Sequence, residues 1–358
     1  QKNPAHASPY ESIAVTQIPS LQLACATEYA RRNFRKATPL WQGESYAHER
    51  IRIGYVSPDF REHAVAQLIA GIFEHHDKTQ FELYAFSTIA DQSSLRARIK
   101  LAFDHFIEID AMSEQEAAQC IRENEIDILI DLAGHTAYTG LNTFAWRPAP
   151  VQATWLGFPG TTGAPFIDYL IADSTVIPPD HHEFYSERVA ALPHCYLPND
   201  RAREISVRTP TRAEEGLPEK GVVFCGFNAS FKLTPRIFDV WMRLLQQVEG
   251  SVLWLRDGAA ENLKNEAVKR GVSPDRLIFA GRTNSIGDHL ARNKLADLFL
   301  DTQNYNAHTT ACDALWAGVP IISCIGSSFA SRVGASALRA IEMPELVTHS
   351  LEEYEALA

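Results

Sequence analysis

The chain has 358 residues, 46% of them hydrophobic and 22% charged, which is enough for two domains with real cores. A formal net charge of -11 argues against holding nucleic acid on a general basic surface, so any phosphate must be gripped locally. No apolar run approaches the roughly 20 residues needed to span a bilayer, so no membrane partner is expected.

Residues 1–50 are mixed. Residues 20–34 read as an amphipathic helix, and Pro39 and Gly43 then interrupt the chain, so this segment is expected to be helix and linker. Strands and helices alternate from Ile51 onward. Strands are expected at 51–57, 81–88, 106–109, 126–132, 151–156 and 169–172. The helices between them fall at 64–75, 93–102, 113–123 and 139–145. The segment 193–220 carries four prolines and breaks the rhythm, so 51–200 reads as one domain and 201–220 as a linker. Alternation resumes over 221–358. Strands are expected at 222–228, 251–256, 277–280, 295–300 and 319–324, and helices at 235–247, 260–270, 286–294, 328–340 and 351–358. The first residue is not methionine and the last helix has no stop signal, so both ends are expected to be cut. The fold class is α/β: two facing, doubly wound, Rossmann-like domains, with the chemistry on the loops after the strands.

The most informative stretch is Asn306-Ala-His308-Thr309-Thr310-Ala-Cys-Asp313, between a strand and Gly318. A helix starting at His308 presents unpaired backbone N–H groups, a ready anion site. Thr309 and Thr310 add hydroxyls, His308 adds an imidazole, and Asp313 lies one turn on, where a carboxylate can take a ribose. Together they suggest a nucleotide diphosphate. A helix terminus supplies only about 0.3–2 kcal/mol, so a departing diphosphate needs a cation as well. Lys232 qualifies, in the loop after the first strand of the second domain, close behind Asn228. His289 and Arg292, on the preceding helix, are either surface residues of an amphipathic helix or, if a nucleotide lies on the helix start, within reach of its base. In the first domain, Leu156-Gly157-Phe-Pro159-Gly160-Thr161 follows a strand. It is either a phosphate-cradling loop or a tight surface turn. His63 and His135 also follow strands. Each is either a packing or capping residue or an imidazole able to move a proton. There is no Asp-x-Asp to hold a metal on a diphosphate. The six cysteines form no C-x-x-C pair and sit mostly in apolar surroundings, which suits a reduced, buried, cytoplasmic setting.

Taken together, several motifs resemble the O-linked N-acetylglucosaminyltransferase family. They are Gly54-Tyr-Val-Ser-Pro-Asp-Phe with His63, Arg147-Pro-Ala-Pro-Val-Gln152, Trp155-Leu-Gly-Phe-Pro-Gly-Thr-Thr-Gly-Ala164, Asp168-Tyr, Phe227-Asn228 with Lys232, Val252-Leu-Trp-Leu255, Ala296-Asp-Leu-Phe-Leu-Asp-Thr302 and the His-Thr-Thr stretch. The resemblance implies a GT-B type glycosyltransferase that needs no metal. It would move N-acetylglucosamine from a UDP-sugar donor to Ser or Thr of a protein acceptor, with inversion. By the same resemblance, Lys232 stands at the pyrophosphate, His308, Thr309 and Thr310 at the phosphates, and Asp313 at the ribose. His289 and Arg292 stand near uracil, the loop 157–161 at the donor sugar and phosphate, and His63 beside the acceptor. Relatives often carry tyrosine where Phe231 stands and tetratricopeptide repeats upstream. Such repeats are expected before residue 1. GDP-fucose as donor, or a non-catalytic nucleotide-sugar-binding protein, are the alternatives.

Overall fold

The computed structural model describes residues 7–34 and 36–358. Contacts divide the chain into two compact units, the first ending at Ala202 and the second spanning Arg203–Ala358.

The first unit has a seven-stranded parallel sheet ordered β3-β2-β1-β4-β5-β6-β7. The strands are β1 (Ile51–Ser57), β2 (Phe81–Ser87), β3 (His105–Glu108), β4 (Ile128–Asp131), β5 (Val151–Trp155), β6 (Tyr169–Asp173) and β7 (Arg188–Leu192). Its helices are α1 (Pro9–Val15), α2 (Pro19–Asn33), α3 (Ala64–Glu74), α4 (Ser94–Ala102), α5 (Glu114–Glu123) and the single turn α6 (Leu141–Phe144). Helix starts follow local chemistry. Ser113 and Glu116 form a reciprocal capping box on α5, and Ser93 caps α4. Neither α1 nor β7 was expected from the sequence. β7 is an edge strand with no fully buried residue, so its pattern carries no hydrophobic signal.

The second unit has a six-stranded parallel sheet ordered β10-β9-β8-β11-β12-β13. Its strands are β8 (Val223–Gly226), β9 (Val252–Arg256), β10 (Leu277–Ala280), β11 (Leu298–Leu300), β12 (Ile321–Cys324) and β13 (Val347–Thr348). The helices are α7 (Pro235–Gln247), α8 (Ala260–Lys269), α9 (Ile286–Asn293), α10 (Thr309–Trp316), α11 (Val333–Ala340) and α12 (Leu351–Leu357). Side chains alternate across the sheet: Phe224, Leu253 and Leu255 pack beneath α7, whereas Val223, Cys225 and Trp254 pack beneath α10. Tyr354 of α12 donates to the carbonyl of Asp301 at 3.1 Å, fastening the last helix to the end of β11. The helix expected over 328–340 is split, because Arg332 at φ -121°, ψ -5° leaves the helical region between a short 3-10 turn and α11.

The expected linker 201–220 is anchored rather than loose. Ser206 donates to Asp288 at 2.7 Å, and Leu217 is buried in the second core. None of the six cysteines forms a disulfide, but only Cys225 and Cys324 are buried; the other four are partly exposed, which corrects the expectation of burial. Among the described residues no helix is long and apolar enough to cross a membrane.

In each sheet the strand order reverses direction beside its first strand, between β1 and β4 and between β8 and β11. Loops diverging at such a point leave a crevice at the carboxyl edge. The β8 and β11 loops carry Asn228, Lys232 and the His308–Thr310 helix start.

Candidate active site

Asn228 lies two residues past the end of β8 and is buried. Its amide nitrogen donates to Thr302 Oγ1 at 3.1 Å, and its oxygen accepts from Thr310 Oγ1 at 2.9 Å. It therefore ties the first turn of α10 to the loop after β11. Lys232 closes a 3-10 turn, and its Nζ donates to the Asn306 carbonyl at 2.9 Å. Burial lowers its pKa to about 7, with the carboxylate of Asp301 pulling the other way.

Asp301 organises this loop. Its carboxylate is buried and accepts from the N–H groups of Thr302 at 2.7 Å and Ala307 at 2.6 Å, and from the Ser323 hydroxyl at 2.6 Å. Burial raises its pKa to about 6 despite these bonds. Asn306 completes the knot, donating from its side chain to the Thr302 carbonyl at 2.6 Å and accepting from the Gly334 N–H at 3.3 Å.

His308 stands at the start of α10. Burial holds it well below the usual histidine range, with a hydrogen bond to the Ala330 backbone opposing, and its Nε2 has no partner among the described residues. The His308 carbonyl takes the N–H of Ala311 at 3.0 Å and of Cys312 at 3.1 Å. The amides of Thr309 and Thr310 are left facing out of the helix start without a protein acceptor among the described residues. The hydroxyl of Thr310 is not a free donor, as the sequence suggested; its hydrogen goes to Asn228.

Asp313 lies a turn further on, and one oxygen of its buried carboxylate is held in an ion pair with Arg203. Its other oxygen lies 3.7 Å from His289 Nε2. His289 is neutral: burial, helped by Arg292, Arg203 and Arg256, lowers its pKa to about 4. Arg292 donates to His289 Nδ1 at 3.1 Å and to the Gly281 carbonyl at 2.6 Å. The proton of this imidazole therefore sits on Nε2. A cavity of about 400 Å³ opens here, lined by Phe227, Arg256, Gly281, Thr283, His289 and Thr310. His289 and Arg292 thus share one pocket with the α10 helix start, and its flat Phe227 and His289 rings suit an aromatic base.

In the first unit, the loop 156–163 is buried, not the tight surface turn that was one expectation. Gly157 N–H donates to the Trp155 carbonyl at 2.9 Å across Leu156, which sits at φ +74°. That is a sparsely populated backbone for a branched residue. A Cβ on Gly157 would lie 2.1 Å from the Leu132 carbonyl oxygen. Pro159 and Gly160 are buried, and Gly160 packs near Phe158 and Ile13. Thr161 donates its hydroxyl to Glu187 at 2.7 Å, and the N–H of Thr162 donates to the same buried carboxylate at 2.7 Å. The Thr161 hydroxyl is therefore committed within the protein. Replacing Gly157 with alanine should destabilise the first unit by about 1–3 kcal/mol, as overpacking does. An unchanged denaturation midpoint would mean that the turn can move aside.

His63 is the N-cap of α3, accepting from the Val65 N–H at 3.3 Å, with Nδ1 3.2 Å from Asp59. Burial lowers its pKa, and Asp59 opposes. The capping role is thus realised, and Nε2 remains for other work. His135 donates from Nε2 to the Thr162 carbonyl at 2.7 Å, among the rings of Tyr29, Phe34 and Phe158. Burial lowers its pKa to about 4, and it fastens α2 and the loop together.

Sequence reading missed Asp301, Tyr305, Asn306, Arg203 and Glu187. An aspartate closing a buried strand is a usable signal for the first. Arg203 and Glu187 meet partners 110 and 26 positions away, which no local pattern reveals.

The family model described as glycosyl transferase family 41 matches residues 33–206 and 199–358. The chain is 39% identical over 320 residues to the probable UDP-N-acetylglucosamine--peptide N-acetylglucosaminyltransferase SEC of Arabidopsis thaliana, covering 87% of this chain and 33% of that protein. It is 26% identical over 476 residues to the UDP-N-acetylglucosamine--peptide N-acetylglucosaminyltransferase of Caenorhabditis elegans, covering 98% of this chain and 41% of that protein. It superimposes on a mutant O-GlcNAc transferase from Thermobaculum terrenum with a TM-score of 0.85 and 31% identity, covering 97% of this chain and 69% of that one. The chain spans about a third of the length of its Arabidopsis relative SEC. With two parallel-sheet domains of the GT-B type and both matched segments inside them, the chain belongs to glycosyl transferase family 41.

Proposed function

We propose that this chain is the catalytic region of an inverting transferase that moves N-acetylglucosamine from UDP to Ser or Thr hydroxyls of proteins. The observation that carries the reading is the convergence, at one switch point, of the Lys232 amine and the open amides of Thr309 and Thr310. The acceptor oxygen attacks the sugar's anomeric carbon as the bond to the β-phosphate oxygen breaks; the electron pair leaves with UDP, and the hydroxyl proton passes to a phosphate oxygen of the donor. Lys232 and the two amides carry that charge. His289, Arg292 and Phe227 take the base, and His63, with its Nε2 uncommitted, positions the acceptor. Asp313 is assigned to the ribose through its oxygen nearer His289. The loop 156–161 serves the sugar through its backbone. His135 supports that loop from behind.

The reading includes no metal, a cytoplasmic setting and an acceptor-selecting repeat segment upstream. Transfer that persists in chelator supports the first. The deciding experiment is mass spectrometry of candidate acceptor proteins after incubation with UDP-N-acetylglucosamine. Gain of one N-acetylhexosamine per modified site is expected; gain of a sugar only from a GDP donor, or of none, would sink the assignment.

Binding should depend on pH. The free protein loses the Lys232 charge as pH rises through about 7, because burial has lowered that pKa. A bound diphosphate favours the ammonium, so binding draws a proton onto Lys232. The nucleotide's terminal phosphate is already ionised there, since its second pKa is about 6. UDP affinity should therefore fall above pH 7, by up to about tenfold per unit. Calorimetry in buffers of different ionisation enthalpy should show proton uptake, and a flat profile would remove Lys232 from the phosphate.

A further inference from the structure

Lys232 has a neighbour that the donor-site reading does not use. Its Nζ lies 3.8 Å from the centroid of the Tyr305 ring, over the face, while the Asn306 carbonyl takes one N–H at 2.9 Å. The Tyr305 ring is nearly buried. It meets Phe231 edge-on at 6.0 Å and His308 at 4.9 Å between centroids. Its carbonyl accepts from Thr302 Oγ1 at 2.6 Å, so the backbone under the ring is fixed.

An ammonium has three N–H donors. A carbonyl satisfies one, and a π-face occupies a second direction by electrostatic attraction to the ring quadrupole. We propose that Tyr305 is a positioning residue for Lys232, its ring and the Asn306 carbonyl aiming the remaining N–H at the phosphate of the departing nucleotide. This rests on the donor-site reading above. The charged and titratable groups facing Lys232 within its unit agree with it. Asp301, at the end of β11, favours the ammonium, and His308, at the start of α10, stays neutral beside it. With burial working against the charge, the ring is a second source of stabilisation that no acid supplies.

The test replaces Tyr305 in the full chain by phenylalanine, by fluorinated phenylalanines that keep the ring's shape while draining its π-face, and by leucine. UDP affinity and kcat/KM are measured against pH. Tyr305→Phe should stay within about twofold of the parent. Stepwise fluorination should weaken UDP binding at neutral pH, reaching about three- to thirtyfold for the fully fluorinated ring, and move the alkaline limb to lower pH. Tyr305→Leu should match the fully fluorinated ring. Because the fluorinated rings keep volume, the result does not depend on how well the leucine variant folds. Fluorinated chains that titrate like the parent would overturn the proposal, as would a Tyr305→Phe loss equal to that of leucine. A parent chain that binds no UDP would remove the donor site itself, and this inference with it.

Discussion

Replacing Lys232 with alanine should lower turnover by about a hundredfold or more, with donor at saturation. The magnitude is that of losing one preorganised group that stabilises developing charge. The amides of Thr309 and Thr310 remain in the variant, but a helix terminus contributes only about 0.3–2 kcal/mol. Stability should move the other way or not at all. The amine is held at a cost, since burial lowers its pKa to about 7, so its removal relieves that cost. Lys232→Arg should not restore turnover, because a longer, planar guanidinium cannot reproduce the compact ammonium set between the Asn306 carbonyl and the Tyr305 ring. Turnover close to the parent's, in a folded Lys232→Ala protein saturated with donor, would show that the leaving group is stabilised elsewhere.

Asp301→Ala should be the most damaging change to stability, by about 3–5 kcal/mol. It strands the N–H groups of Thr302 and Ala307 and the Ser323 hydroxyl in a buried site, and removes the charge opposite Lys232. Domains of this size are stable by only about 5–15 kcal/mol, so the second unit should melt at a clearly lower temperature in calorimetry. Asp301→Asn separates the two roles. Its oxygen can still accept both amides, and its NH₂ can donate to Ser323. The asparagine variant should recover most of the stability, yet lose charge on Lys232 at lower pH than the parent. Equal melting of the alanine variant and the parent would remove Asp301 from the framework of the loop.

The parallel sheets could be read from sequence because buried strands are short apolar runs separated by helical periodicity, as in 51–57 and 252–255. The edge strands β7 and β13 escaped, since half-exposed edges need no such run. The helix start at His308 was visible because strand, polar loop and glycine stop lie within one local window. What lay beyond that window could not be read. Asp313 was read as a ribose contact with no sign of its ion-pair partner Arg203, which is 110 positions away. The glycines at 157, 160 and 163 suggested an exposed turn because composition does not reveal what covers them. Thr310 offered its hydroxyl to a ligand on paper and spends it on Asn228 in the fold.

The cover over that glycine loop bears on how the protein is handled at the bench. A Cβ on Gly163 would fall 2.3–2.6 Å from the backbone of Ala26 and Thr27 in α2, and Tyr29 of the same helix rests its ring on His135. An expression boundary drawn at Ile51, where the alternating pattern begins, would therefore not trim a tail. It would peel a lid from Gly160, Gly163 and His135, baring apolar surface beside the loop assigned to the sugar. Such a shortened clone should be recovered mainly as aggregate, while one that begins ahead of Pro9 stays in solution.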